Sequence, residues 1–262
     1  MKKPGPGKLG VFIRQLNPSI HGTPALMAAK AKDHGVDYVA FLIAWQELRE
    51  RQEFNVVDLA RYARAMRDQG IDVHLWVYPW ESHEELMVKT FVKRTEELRQ
   101  EGGRDAVQGW IIDPELGYKW FDRPETVIRQ EAQFFMNELL NAMDENLNLG
   151  VTSYGLVRGH PNFPWEVFLR YGWHCPQVYG FRPAQLTNAL ASWSSTKAAM
   201  IPAIAGFGEF DEDRLEEYGR EVISRDGVDG IIVWSWRQLS SREWAILGRL
   251  RDLFPKENLS DE

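Results

Sequence analysis

Val107-Gln108-Gly109-Trp110-Ile111-Ile112-Asp113-Pro114-Glu115 is an apolar run that closes on two carboxylates flanking a proline. The run reads as a strand, and Pro114, which lacks the N–H a central ladder needs, predicts that the strand stops here. Seven similar runs lie around it, at Leu9–Ile13, Asp37–Ile43, Ile71–Val77, Leu149–Ser153, Cys175–Tyr179, Met200–Ala203 and Gly230–Trp234. Their starts fall roughly 25 to 40 residues apart with amphipathic segments between them, the repeat expected when helices cross over a parallel sheet. Eight such units predict an α/β protein built as a closed (β/α)8 barrel. An open doubly wound sheet is the alternative that this strand count disfavours. No linker or shift of composition interrupts the pattern, so one domain is expected over residues 1–262.

Helix signals occupy the gaps. Thr23-Pro24 offers an N-cap followed by proline at the first helical position, with Gly35 after the last turn. Asn55 can cap Val56–Gln69, where Val57, Leu59, Ala60, Ala63 and Met66 keep helical spacing, and Gly70 ends it. Ser82-His83-Glu84-Glu85 matches a capping box ahead of a charged helix reaching about Gln100. Glu125–Glu145, Asp211–Arg225 and Ser241–Phe254 read as further helices, and the polar tail from Pro255 to Glu262 is expected to fray.

Composition narrows the function. The chain has 262 residues, 44% hydrophobic and 26% charged, with a formal charge of −7, which argues against nucleic acid or an anionic membrane as main partner. No stretch approaches the ~18 apolar residues of a membrane span. Met1 to Gly10 carries Lys2, Lys3 and Lys8 but no apolar core, so no secretory signal is expected and the product would be cytoplasmic. Release by cell lysis, or a phage origin, would leave the same trace. Cys175 is the single cysteine, which excludes an internal disulfide and a cysteine zinc site. The six histidines show neither H-x-H nor H-E-x-x-H spacing, so no metal or other cofactor is expected.

Barrels of this kind place their sites at the C-terminal ends of the strands. There the chain supplies Arg14 and Gln15 after strand one, Trp45 with Gln46 and Glu47 after strand two, and Trp76, Tyr78 and Trp80 on strand three. Asp113 and Glu115 follow strand four with Tyr118 and Trp120 close behind, then Ser153 and Tyr154, Gln177 and Tyr179, Glu209, and Trp234 and Trp236. The i, i+2 spacing of Asp113 and Glu115 would aim both carboxylates one way. Crowded like charges make one of them hold its proton more tightly, as general acid catalysis near neutral pH requires. A cap on the next segment is the plainer role for Asp113. Carboxylates, tyrosines, glutamines and indoles together suit an uncharged, hydroxyl-rich ligand, a polysaccharide or oligosaccharide. Eleven tryptophans supply stacking surfaces, although Trp76 and Trp234 lie inside apolar runs and read more readily as core. Arg14 serves either as a substrate clamp or as an ion-pair partner in the barrel, and Glu209 either joins the site or starts an acidic helix.

D-x-E after strand four, Gln-x-Tyr after strand six and Trp on strand eight resemble the chitinase-like glycoside hydrolases of family eighteen and, more loosely, the lysozyme-like family twenty-five. The family-eighteen motif is D-x-x-D-x-D-x-E. The resemblance implies that Glu115 protonates the glycosidic oxygen while Asp113 orients the N-acetyl group of the substrate, which acts as nucleophile. It also implies that Tyr179 holds that acetamide and that Trp234 or Trp236 floors the sugar. Arg14, Trp45, Tyr78, Tyr154, Gln177 and Glu209 complete the expected binding surface. The two earlier aspartates of the motif fall on Gln108 and Ile111, and the first strand ends in Arg14-Gln15 where family twenty-five carries an aspartate. The expected activity is retaining, substrate-assisted hydrolysis of an N-acetylhexosamine-containing glycan of chitin or peptidoglycan type. Pairing Glu115 with Glu209 as nucleophile is a second mechanism, against which stands Pro114 in the position those families give to Asn. A non-catalytic glycan-binding or structural barrel, such as a module of a surface or phage assembly, is the reading from outside enzymology.

Overall fold

The computed structural model describes residues 7–44, 55–78, 84–115, 124–193, 198–205 and 212–254. Eight parallel strands close in sequence order into a barrel, each hydrogen-bonded to the next and the last to the first. The expected (β/α)8 architecture is the one present. The first half runs β1 (Leu9–Ile13), α1 (Pro18–His21), α2 (Pro24–Asp33), β2 (Tyr38–Ala44), α3 (Val56–Asp68), β3 (Asp72–Val77), α4 (Glu84–Gly102) and β4 (Gly109–Ile112). The second half runs α5 (Glu125–Ala142), β5 (Asn148–Tyr154), α6 (Trp165–Phe168), β6 (Trp173–Gln177), α7 (Pro183–Trp193), β7 (Ala203–Ala205), α8 (Glu212–Ile223), β8 (Ile231–Trp234) and α9 (Ser241–Arg251).

Local chemistry sets several helix starts. Thr23 and Asn55 accept from the backbone N–H groups of Leu26 and Val57, as their place before α2 and α3 predicts. Ser240 and Glu243 form a reciprocal capping box on α9. The box expected at Ser82 lies outside the described residues, as does the tail from Pro255. Two strands are offset from the sequence pattern, in opposite directions. The β6 ladder starts earlier, at Trp173, and ends at Gln177, which leaves Tyr179 in the loop beyond it. The β7 ladder starts later, at Ala203, because Pro202 has no N–H to give and Met200 makes only isolated bridges.

The strand registers fill the barrel from its floor. Gly109 of β4 pairs with His74 of β3, and Gly150 of β5 pairs with Trp173 of β6. A Cβ on either glycine would overlap the ring its neighbour lays across it. Tyr38, His74 and Trp173 therefore meet edge to face in the interior, with ring centroids 5.4, 6.2 and 6.3 Å apart. Above them Phe12, Trp76 and Trp234 form a second aromatic layer, with centroids 5.0 to 5.5 Å apart. This layer is the ceiling of the core and the floor of the barrel mouth. No helix among the described residues is long and apolar enough to cross a membrane.

Candidate active site

A cavity of about 270 Å3 opens at the C-terminal ends of the strands, lined by Arg14, Leu42, Trp76, Tyr78, Asp113, Glu115, Gln177, Tyr179 and Trp234. Six different strands thus contribute to one pocket, the arrangement expected at the catalytic face of a barrel.

The two carboxylates reach it by different means. β4 ends at Ile112, but the Asp113 N–H still donates to the Val77 carbonyl of β3 at 2.9 Å, so the ladder holds this residue in place. Pro114 then interrupts the pairing, and the Glu115 N–H turns back to the Asp113 carbonyl at 2.8 Å. The Ser153 hydroxyl of β5 donates to the Pro114 carbonyl at 3.1 Å and pins that turn. The carboxylates therefore share the cavity through a strand end and a tight turn, where plain strand alternation alone was expected to align them.

Asp113 is only 4% exposed. Its Oδ1 accepts from the Gln177 side-chain amide at 3.1 Å, across two strands of the barrel. Burial raises the Asp113 pKa well above the ordinary carboxylate range, the nearby Glu115 raises it further, and Trp76 and Gln177 oppose the shift. The buried Trp76 Nε1 makes no hydrogen bond of good geometry. Burial also raises Glu115, again opposed by Gln177. Around the pair, the phenols of Tyr78 and Tyr179 are pushed upward, chiefly by burial and then by the two carboxylates. They therefore remain neutral hydrogen-bond donors and acceptors across the working pH range.

Arg14 lies exposed at the cavity rim, at the end of β1. Trp234, half-buried, gives the cavity an indole wall, and Trp76 lies beneath it as core. Leu42, at the end of β2, joins the lining although nothing in its sequence context marks it. Tyr154 ends β5 just outside the lining, its ring stacked on His160 with centroids 4.0 Å apart. Trp236 departs from expectation. After Trp234 the chain enters a 3-10 turn over Trp236–Gln238, which takes the Trp236 ring off the strand face and packs it 4.5 Å from Trp244 of α9. Trp236 is core, 3% exposed, and away from the pocket. Trp45 and Glu209 lie outside the described residues, as do Gln46, Glu47, Trp80, Tyr118 and Trp120.

The positions of the two missing aspartates have other work. Gln108 accepts from the Val73 N–H at 2.6 Å, tying β4 to β3 at their entry. Ile111 is fully buried two residues before Asp113 on the same face, so apolar surface lies directly under that carboxylate. Among the described residues no group of three His, Cys, Asp or Glu side chains could hold a metal ion.

Fold and pocket together define a (β/α)8 barrel with a carboxylate pair at its mouth, and several of the solved structures that resemble it are glycoside hydrolases. A GH18 chitinase from Pseudoalteromonas aurantia superposes with a TM-score of 0.65 at 10% identity, covering 94% of this chain and 100% of that one. The spore cortex-lytic enzyme SleL of Bacillus megaterium gives 0.60 at 9% identity over 95% of this chain and 74% of its own. The same fold extends to a putative aldo-keto reductase from Pseudomonas aeruginosa, at 0.59 and 14% identity over 92% and 90%. Likeness at this level of identity shows the fold, and the chemistry must be argued from the site. Neither a family model nor a curated protein matches the chain.

Proposed function

We propose that the protein is a retaining glycoside hydrolase that cleaves an N-acetylhexosamine-containing glycan, of chitin or peptidoglycan type, by substrate-assisted catalysis. The observation that carries this reading is a buried and a half-buried carboxylate, both with raised pKa, in one cavity with the Tyr179 phenol and the Trp234 indole. Glu115, the less enclosed of the two, gives its proton to the glycosidic oxygen as the C1–O bond breaks. The acetamide carbonyl oxygen of the same sugar closes on C1, in place of an enzyme nucleophile. Asp113 accepts the acetamide N–H and, once ionised, stabilises the positive charge of the oxazolinium ion. Water then attacks C1, returns a proton to Glu115 and reopens the ring with retention. Tyr179 holds the acetamide, and Trp234 offers a stacking face to the sugar.

Burial favours placing the shared proton on Asp113, the deeper group, in the free protein. An acetamide N–H donated to Asp113 favours its ionised form and leaves the proton to Glu115. Substrate binding would thereby set the protonation pattern that the chemistry needs.

Glu115→Gln should lower turnover of chito-oligosaccharide or peptidoglycan fragments by roughly a thousandfold, with binding retained by calorimetry. Unchanged cleavage by that variant would sink the assignment. A non-catalytic glycan-binding barrel has one specific observation in its favour, the Ile111 side chain lying where the relay aspartate of the motif would sit. Thermal stabilisation of the wild type by chito-oligosaccharide with no new reducing ends released would select that reading.

A further inference from the structure

We propose that Gln177 is a positioning residue for the carboxylate pair, its side-chain amide clamping Asp113 in place beside Glu115. The clamp is a matter of geometry, and its importance for turnover rests on the hydrolase reading above. Gln177 ends β6, two strands from β4, in register with Tyr154 of β5, and this places its amide over the mouth. The Nε2 group has two hydrogens. One is directed to Asp113 Oδ1 at 3.1 Å, and Glu115 shares the same pocket. Gln177 acts on both carboxylates in the same direction, favouring their ionised forms against the burial that opposes them.

Other titratable groups lie around the pair or line the same cavity. They are Tyr78 from β3, Cys175 and Tyr179 from the β6 segment, and Arg14 from the end of β1. The two phenols and the Cys175 thiol are all shifted upward by burial, so they stay neutral while the pair titrates. A carboxamide does not titrate. Gln177 can therefore steady the pair at every pH without adding a charge of its own.

Gln177→Met removes the donors at nearly constant volume, and Gln177→Asn withdraws the amide by one methylene. The test is carboxyl 13C NMR of protein labelled at Asp and Glu, with the two resonances assigned from Asp113→Asn and Glu115→Gln. Both Gln177 variants should titrate the pair about one to two pH units higher than wild type, the scale of a hydrogen bond to a charged group. Their acid limb of kcat/KM should move upward by the same interval. A residue that only contacts glycan would change KM and leave the titration of the free protein where it was. Titration curves of Gln177→Asn that coincide with those of wild type would overturn the clamp, and near-UV circular dichroism establishes that the variant is folded. Shifted curves in a protein without hydrolytic activity would leave the clamp standing and remove the hydrolase reading.

Discussion

Asp113 owes its properties to its burial, to Glu115 beside it, and to Trp76 and the Gln177 amide, which favour its ionised form. Its carboxylate form is disfavoured in the fold, so its folded pKa lies above the unfolded value near 3.9. The penalty is fully present above the folded pKa and vanishes as pH falls to the unfolded one. Asp113→Asn, which is neutral at every pH, should therefore stabilise the protein at pH 8 by on the order of 1 kcal/mol and bring no gain at pH 4. Urea unfolding of both proteins at the two pH values measures this, and an equal effect at both would mean that the charge is not what strains the site. The carboxylates were legible in sequence because an apolar run ending in D-P-E is rare punctuation with a physical meaning. Trp236 leaves the strand face because a 3-10 turn that no local signal announces follows Trp234. The bond from Gln177 to Asp113 could not be read, since it depends on barrel registers that bring residues 64 apart in sequence together.

Among elements, the entry to β2 shows how side chains close the barrel. Asp37 Oδ2 accepts from the N–H groups of Lys8 and Leu9 at 2.8 and 2.9 Å, satisfying the start of β1. The same carboxylate binds Arg251 at the end of α9, with Nε 2.8 Å from Oδ2. One residue thus ties the first two strands to the last helix, where the barrel closes β8 onto β1. Asp37→Ala leaves two backbone donors and a guanidinium without this partner and should cost about 2–3 kcal/mol in urea unfolding. Asp37→Asn, which keeps an acceptor oxygen, should lose less; an Ala variant as stable as wild type would remove Asp37 from the closure. Strand and helix order was readable because each apolar run is bounded by Gly, Pro or a cap. The edges of β6 and β7 were not, because Trp173, His174 and Pro202 become ladder or non-ladder residues only through their partners across the sheet. Helix α7 also lacked a local signal as clear as the caps of α2 and α3, and the sequence pattern names no helix there.

At the scale of the molecule, the barrel carries two opposed responses to acid, one at each end of its interior. At the mouth, protonating Asp113 and Glu115 relieves buried charge and favours the folded state. At the floor, His74 is fully buried between Tyr38 and Trp173, and neither ring nitrogen has a hydrogen-bond partner among the described protein atoms. Burial pushes its pKa down to about 3, so the ring is neutral in the fold and becomes cationic on unfolding below about pH 6.5. Between those values the unfolded chain binds more protons, and His74 removes stability as pH falls, by up to about 1.4 kcal/mol per pH unit. His74→Phe keeps a ring over Gly109 and abolishes the titration. Any packing change it brings is the same at every pH, so the informative quantity is the difference between the two stability curves. Relative to wild type, His74→Phe should gain about 3 kcal/mol on going from pH 7 to pH 4, followed by urea unfolding across that range. Parallel curves would mean that His74 is protonated or hydrated inside the barrel. The Asp113 and Glu115 resonances should titrate unchanged in His74→Phe, because the layer of Phe12, Trp76 and Trp234 stands between the floor and the mouth.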